Sequence, residues 1–257
     1  MKTDGYSFLK VEFDDGVAVI RFNRPENGNR WARSDEWELA QVFSDVRSDD
    51  VKAIVLTGSG DTFCGGAHHS DDPFDAFDYY NRSIELFGSV LDLDTPLVVA
   101  INGTASGSGL TLAMFGDIVI AEEHVQFSDA HVKGGVVTAT GSFLWPPSIG
   151  LLRAKRYLLT GDAFSAADAE RWGLVTEVVP TGGSLDRALE FARRFAAMHT
   201  SGVRGTKRAL NTWLKVAFGP VFQHALSLEF MSFPAELLNY GRGDGRPEQP
   251  DAAAAPR

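Results

Sequence analysis

Residues 96–123 read PLVVAINGTASGSGLTLAMFGDIVIAEE, and this stretch decides the fold. It begins with an apolar run that is typical of a buried strand and continues through three glycines into a segment that is typical of a helix. A second apolar strand follows. A strand, a helix and a strand in this order predict a parallel βαβ unit. The helix would begin near Gly107 and Gly109, where free backbone N–H groups suit an anion.

A similar turn comes earlier in the chain, where the apolar run AIVLTG is followed by FCGGAHH at residues 63–69. Two adjacent glycines suggest that something approaches the backbone closely there. N–H groups from two such turns, aimed at one point, would form an oxyanion hole. Two tight strand-to-helix turns are the simpler interpretation, and the pattern alone favours it. Neither turn matches a phosphate-binding loop, a dinucleotide-binding glycine motif or a serine nucleophile elbow.

The rest of the chain continues the alternation of strands and helices, which predicts an α/β fold with parallel units. The pattern becomes continuously helical towards the C-terminus. We therefore divide the chain into a core of residues 1–200, a C-terminal helical region of residues 201–240 and a tail. The tail, residues 241–257, is rich in Gly, Pro and Ala and is expected to be disordered.

Composition excludes several classes of function. The 257 residues carry a formal net charge of -10, which argues against nucleic acid or an anionic membrane surface as a partner. The single cysteine, Cys64, rules out an internal disulfide and makes a cysteine-based zinc site improbable. The start of the chain lacks the apolar core of a signal peptide, and no apolar run is long enough to span a bilayer. We expect a soluble cytoplasmic protein.

Three stretches together resemble the enoyl-CoA hydratase/isomerase, or crotonase, superfamily. They are FCGGAHH, INGTASGSGLTLAMFGDIVIAEEHVQFSDA and RYLLTGDAFSAADAERWGLVTEVV, and the likeness runs from about Val17 to Val179. The resemblance implies a spiral of ββα repeats with a C-terminal helical region that supports a homotrimer or a dimer of trimers. It also implies an oxyanion hole for an enolate, whose two backbone N–H donors fall on Ala67 and Ser108.

The chain departs from this family at the two glutamates with which its hydratases add water. The first glutamate falls on Thr111 and the second on His131. A threonine cannot act as a general base near neutral pH, whereas a histidine can. We therefore expect His131 to be the single acid or base, and we do not expect an ordinary two-carboxylate hydratase.

One branch of the superfamily, the oxocamphor hydrolase type, has a histidine at this position and cleaves carbon–carbon bonds of cyclic β-diketones without CoA. Trp31 and the Trp145-Pro146 pair resemble that branch, and the two tryptophans would line the substrate pocket. The aspartate that orients the branch's histidine falls on Thr140 here. Asp129 is the nearer carboxylate, but we expect its side chain to point to the other face of its segment. For the branch's C-terminal carboxylate, the sequence offers Glu229 or Glu236.

The adjacent histidines His68 and His69 follow the first glycine turn. At most one should face the pocket, and His68 is the candidate for substrate binding, because it falls where the family often has an aspartate. A metal site formed with Asp71 would need further ligands that the sequence does not supply at a recognisable spacing, so we expect no metal. The C-terminal motif with which CoA-using relatives contact the nucleotide is missing from FPAELLNYGRGDGRPEQP, which weakens a CoA role without excluding it.

Three functional hypotheses follow. The first is hydrolysis of a β-diketone or a related carbonyl substrate, with His131 activating water, Ala67 and Ser108 holding the oxyanion, and no cofactor. The second is an acyl-CoA enzyme of the same superfamily that uses His131 as its single acid or base, with a CoA thioester as substrate. The third is a catalytically silent homologue that only binds a partner. Thr111, Thr140 and the two tryptophans are further candidates for substrate contacts.

Overall fold

The apolar runs of the sequence form the strands of two β-sheets. In the computed structural model, the described residues are 2–32, 35–67 and 76–233, with the side chains of residues 76 and 77 left out. The larger sheet has the strand order β1-β2-β3-β5-β7-β10 and the smaller one β4-β6-β8-β9. The strands are β1 Leu9–Asp14, β2 Val17–Phe22, β3 Ala53–Gly58, β4 Thr62–Cys64, β5 Leu97–Ile101, β6 Thr104–Ser106, β7 Ile118–Glu122, β8 Gln126–Ser128, β9 Phe164–Ser165 and β10 Glu177–Val179.

The helices follow the strands in a regular order. Short 3-10 helices at Pro25–Asn27 and His131–Gly134 and a π-helical turn at Phe218–Gln223 lie between the α-helices and strands. The α-helices are α1 Glu36–Asp45, α2 Ala76–Leu91, α3 Gly107–Ala113, α4 Ala139–Ile149, α5 Leu151–Leu158, α6 Ala166–Trp172, α7 Ser184–Ala196, α8 Thr200–Ala217 and α9 His224–Ser232.

The same unit of two strands and a helix occurs three times. In β3-β4-α2, β5-β6-α3 and β7-β8-α4, the first strand joins the larger sheet and the second strand joins the smaller one. The neighbouring strands of successive units pair in parallel. The expected α/β fold with a spiral of ββα repeats is therefore confirmed. Every functional turn suggested by the sequence lies at the end of a strand in one of these units.

Burial explains why these runs are apolar throughout. All residues of β3 and β5 are buried, as expected for parallel strands that are covered on both faces. The large core packs on one side of the sheet, and a smaller apolar cluster packs between the other side and α7. The two clusters hold the strand ends, and hence the turns that follow them, in fixed positions.

The region after residue 200 is helical, through α8, the π-helical turn and α9. Residues 234–240 and the tail 241–257, expected to be disordered, lie outside the described residues. The proposed division into core, helical region and tail stays a prediction. Among the helices of the described residues, none is both long and apolar enough to cross a membrane.

Candidate functional site

The two glycine turns that the sequence singles out pack directly against each other. Gly66 follows β4 with a φ of +87°, and Gly107 opens α3 with a φ of +51°. A β-carbon on Gly66 would lie 2.9 Å from the carbonyl oxygen of Ser106 and 3.2 Å from the backbone nitrogen of Ser108. The hydroxyl of Ser106 donates a hydrogen bond of 3.2 Å to the Gly65 carbonyl. Glycine is required at this contact both for its φ and for the lack of space.

These turns bring the two expected anion donors close to one another. Ser108 is the second residue of α3, so its N–H has no acceptor within the helix. Ala67 follows the Gly66 turn and pairs through its backbone with Trp31 in a single parallel bridge. The N–H of Trp31 donates a hydrogen bond of 3.2 Å to the Gly66 carbonyl and holds the turn from its other side. An oxyanion hole formed by Ala67 and Ser108 stays a prediction that this arrangement supports.

His131 lies beside the second turn. Its ring carbon Cε1 is 3.9 Å from the position that a β-carbon on Gly107 would occupy. Its Nδ1 forms a hydrogen bond with Asp129 Oδ1. The second carboxylate oxygen of Asp129 accepts a hydrogen bond of 2.6 Å from the Thr138 hydroxyl. Because Asp129 holds Nδ1, the other ring nitrogen, Nε2, is left for proton transfer.

The expectation that Asp129 would point away from His131 is wrong. Residues i and i+2 of an extended segment share a face. The segment is, moreover, not extended at this point: β8 ends at Ser128, Ala130 has φ -96° and ψ 13°, and His131 opens a 3-10 helix. The bend lets the Asp129 carboxylate also receive the His131 backbone N–H at 3.3 Å. A carboxylate therefore orients His131, but from Asp129 rather than from position 140.

The pKa values of Asp129 and His131 are shifted in opposite directions. Burial alone would raise the pKa of Asp129, but the hydrogen bonds and charge of His131 and the hydroxyl of Thr138 outweigh it, and the pKa lies below its ordinary value. Burial alone would lower the pKa of His131, but the bond to Asp129 and the negative charges of Asp129 and Glu229 raise it. The site thus favours a charged pair, with an imidazole whose affinity for a proton is increased.

Thr111 and Thr140 occupy the other two positions that the resemblance singles out, and they bind each other. Their hydroxyl oxygens are 2.8 Å apart and both residues are buried. A pair of hydroxyls cannot replace a carboxylate as a base near neutral pH. Of the positions where the resemblance places catalytic groups, His131 is thus the one suited to proton transfer.

A second buried carboxylate reaches this region from the C-terminal helix. Glu229 on α9 accepts a hydrogen bond of 2.8 Å from the Tyr79 hydroxyl and one of 3.1 Å from the Ala139 N–H. Burial raises the pKa of Glu229, although the charge of His131 and these two hydrogen bonds act against the rise. The sequence offered Glu229 as one of two guesses, and the other, Glu236, lies outside the described residues. Tyr79 and Thr138 were missed, because Tyr79 and Glu229 are 150 positions apart in the sequence and form no local pattern.

The two tryptophans expected in the pocket are both packed into the main core. Trp31 stacks on Phe22 with ring centres 5.9 Å apart, and Trp145 meets the edge of Phe164 at 5.6 Å. Each is only 1% exposed. Among the described residues, the buried indole N–H of Trp31 has no hydrogen-bond partner. A role for either ring in substrate binding stays a prediction.

Three expected features of the first turn fall where the structure gives no description. His68, the candidate substrate contact, and His69 and Asp71, the possible metal ligands, lie outside the described residues. Within residues 2–32, 35–67 and 76–233, no group of three or more His, Cys, Asp or Glu side chains is arranged to hold a metal ion.

Comparisons with known proteins agree with the fold. Residues 12–232 match the family model described as enoyl-CoA hydratase/isomerase. The chain is 34% identical over 215 residues to a 1,2-epoxyphenylacetyl-CoA isomerase of Escherichia coli, covering 80% of this chain and 82% of that protein. It is 35% identical over 215 residues to a protein named probable enoyl-CoA hydratase EchA12 of Mycobacterium tuberculosis, covering 78% and 75%.

Solved structures give the same result. The crystal structure of an enoyl-CoA hydratase/isomerase from Mycobacterium paratuberculosis superposes with a TM-score of 0.81 at 30% identity, covering 90% of this chain and 94% of that one. A putative enoyl-CoA hydratase/isomerase from Acinetobacter baumannii superposes with a TM-score of 0.80 at 25% identity, covering 88% and 99%.

Proposed function

The chain belongs to the enoyl-CoA hydratase/isomerase (crotonase) superfamily, and on that premise we propose that it moves a proton on an acyl-CoA thioester through an enolate. One observation carries the proposal: an imidazole oriented by Asp129 lies against the Gly107 turn. A single base beside an anion site is sufficient for isomerisation, whereas the hydratases of the family use two carboxylates. The choice of an acyl-CoA over a β-diketone rests on relatives whose names include a CoA isomerase and an enoyl-CoA hydratase.

The proposed mechanism uses each group in turn. The N–H groups of Ala67 and Ser108 donate to the thioester oxygen. The neutral Nε2 of His131 takes a proton from the α-carbon, and the negative charge of the resulting enolate is held by the two N–H groups. Asp129 stabilises the imidazolium that forms. With a 3-enoyl thioester the enolate is conjugated with the double bond, and the imidazolium returns the proton to C4, which moves the double bond from C3–C4 to C2–C3 without consuming water. With a saturated acyl thioester the proton can only return to the α-carbon, which appears as exchange.

The test is exchange of the α-hydrogen of acyl-CoA and 3-enoyl-CoA thioesters in D₂O, followed by mass spectrometry, together with formation of the isomerised product. We expect exchange by the wild type and its loss in His131→Ala, with the fold intact by circular dichroism. His124→Ala is the matched control, because His124 is an exposed histidine whose ring contacts Thr181. Near-normal activity of His131→Ala would overturn the assignment of the base.

Hydrolysis of a β-diketone is the second candidate, and a specific observation favours it. The resemblance gives that branch both a histidine–carboxylate pair and a carboxylate near the C-terminal helices, and Asp129, His131 and Glu229 supply these groups. His131 would then activate water for attack on one carbonyl, and the departing enolate would occupy the anion site. Cleavage of cyclic β-diketones without exchange on any thioester would establish this candidate over the first. Failure on both panels would leave the third hypothesis, a homologue that only binds a partner.

We further propose that the protein assembles as a homotrimer or a dimer of trimers. Support comes from α8, where Trp213 is 82% exposed and Leu210 and Val216 are also exposed. Large apolar side chains grouped on one helix mark a contact surface. Light scattering coupled to gel filtration tests the assembly, and a monomer at micromolar concentration would contradict it.

A further inference from the structure

The C-terminal helix α9 is tied to the segment that supports the catalytic histidine. The hydroxyl of Ser232 accepts a hydrogen bond of 3.0 Å from the Val137 N–H, and Glu229 accepts the Ala139 N–H. Between these two anchored residues lies Thr138, whose hydroxyl holds Asp129. The last turn of α9 therefore holds Thr138 in place through its two neighbours. Thr138 in turn holds Asp129, which is the hydrogen-bond partner of His131.

Apolar packing supports the same attachment. Phe233, which follows α9, meets the ring of Tyr79 edge-on with centres 5.6 Å apart. Together with Val136 and Phe230 these residues form a small apolar cluster, and Tyr79 also packs against the main core. Tyr79 in turn donates its hydroxyl hydrogen to Glu229. The carboxylate is thus held on one oxygen by α2 and on the other by the start of α4.

We propose that Glu229 is a positioning residue for His131: it anchors the segment that orients Asp129 and supplies a second negative charge to the imidazole. Both oxygens of Glu229 accept hydrogen bonds, which is the arrangement that suits an ionised carboxylate. The raised pKa of His131 has the charge of Glu229 among its causes, after that of Asp129. This role concerns how the base is held and charged, so it applies to either candidate reaction.

Within the described residues, few charged groups act on His131 and Glu229. The pKa of His131 is affected by the charges of Asp129, on its own segment, and of Glu229, on α9. Glu229 feels His131, Asp129 and the Tyr79 hydroxyl of α2, and Glu36 of α1 acts on Tyr79. Since each partner's charge favours the opposite charge on the other, removal of the charge on Glu229 should move the titration of His131.

The decisive experiment is the NMR titration of the His131 ring in the full chain, which needs no substrate and therefore stands or falls apart from the proposed reaction. Its signal among six histidines is identified by its loss in His131→Asn. Glu229→Gln removes the charge but keeps the hydrogen bonds, because the amide oxygen can accept from Ala139 and the amide N–H can donate to Tyr79. We expect the His131 titration midpoint to move to lower pH and the acidic limb of kcat/KM to follow.

Glu122→Gln is the matched control. Glu122 is equally buried and accepts a hydroxyl hydrogen bond from Ser184, but its neighbouring histidine is His124. That variant should leave the His131 titration unmoved. An unchanged midpoint in folded Glu229→Gln, or an equal shift in Glu122→Gln, would refute the proposal.

If Glu229→Gln fails to fold, Tyr79→Phe decides instead. It removes a hydrogen bond that favours the charged form of Glu229, so the His131 midpoint should again move to lower pH, by less. No movement in Tyr79→Phe would then count against the role.

Discussion

The two sides of the site are built in different ways. The proposed anion side consists of backbone: two turns whose glycines allow close contact, with Ser108 at the start of α3, where its N–H has no acceptor within the helix. The proposed proton-transfer side consists of side chains from the segment after β8, from α2, from the residue before α4 and from α9. A backbone site is rigid and leaves a mark in the local sequence, whereas a side-chain network depends on distant contacts and can be altered residue by residue.

The anion side should be the more sensitive to a single methyl group. In Gly66→Ala the added carbon would clash with the Ser106 carbonyl at 2.9 Å and displace the Ser108 N–H. Loss of one oxyanion donor costs about 10²- to 10³-fold in kcat, and we expect a loss near the upper end because both turns are disturbed. Steady-state kinetics on the substrate class that turns over in the exchange and cleavage tests measures it.

Gly182→Ala separates this clash from backbone strain alone. Gly182 has nearly the same φ, +84°, but a β-carbon there would have no heavy atom within 4 Å. It should lose roughly 1 kcal/mol of stability from the unfavourable φ and keep its activity. Equal losses of activity in the two variants would show that the contact between the turns is not special.

The proton-transfer side should lose less when its orienting carboxylate is neutralised. Asp129→Asn keeps the shape but removes the charge that holds His131, and we expect about a 100-fold fall in kcat. Because Asp129 raises the pKa of His131, the acidic limb of the pH–rate profile should move to lower pH in the variant. Asp162→Asn, at an exposed pair with Arg156, is the control and should change neither.

The same substitution makes a prediction about stability and pH. His131, with a raised pKa, contributes stability that is fully present below its ordinary value of 6.5 and is lost as the pH rises through the raised one. Asp129, with a lowered pKa, contributes stability present above its ordinary value of 3.8 and lost as the pH falls through the lowered one. The wild type should therefore exceed Asp129→Asn in urea resistance most clearly between pH 3.8 and 6.5. A constant difference at all pH values would contradict the charged pair.

A milder disturbance of the same side comes from Gly141 on α4. A β-carbon there would lie 2.5 Å from the Thr138 hydroxyl and 2.9 Å from Asp129 Oδ2. Gly141→Ala should shift the Thr138–Asp129 contact and reduce kcat about 10-fold, because small displacements of a catalytic group are costly. Gly134→Ala, three residues after His131, adds its methyl group to open space and should behave like the wild type. The comparison of kcat between Gly141→Ala and Gly134→Ala tests whether the position of Thr138 affects catalysis by His131.

This contrast also explains what the sequence could and could not reveal. The glycine turns and the ββα repeat are local patterns, so the positions of Ala67, Ser108 and His131 at strand ends followed from the chain and its resemblance. The orientation of Asp129 was predicted wrongly, although residues i and i+2 of an extended segment share a face and the spacing alone therefore allows its contact with His131. The bend after Ser128 adds the hydrogen bond from the His131 backbone N–H, which the sequence does not predict. The contact of Tyr79 with Glu229 joins α2 to α9, and it can be identified only from the folded structure because the two residues are far apart in the sequence.

The smallest effect is expected at the two threonines, and it decides whether they serve the substrate or the fold. Thr111→Val leaves the buried Thr140 hydroxyl without its partner, which should cost about 1–3 kcal/mol of stability, while the double variant with Thr140→Val removes both hydroxyls and should recover most of that loss. If the pair is structural, kcat and KM of the double variant stay within a few-fold of the wild type, whereas a marked rise in KM would show that a hydroxyl turns to the substrate. Urea unfolding of the four proteins in this cycle gives the coupling energy directly. A coupling energy near zero would mean that the 2.8 Å contact between the two hydroxyls contributes nothing to stability. The two threonines would then not belong to the hydrogen-bond network that includes Thr138, Asp129 and His131.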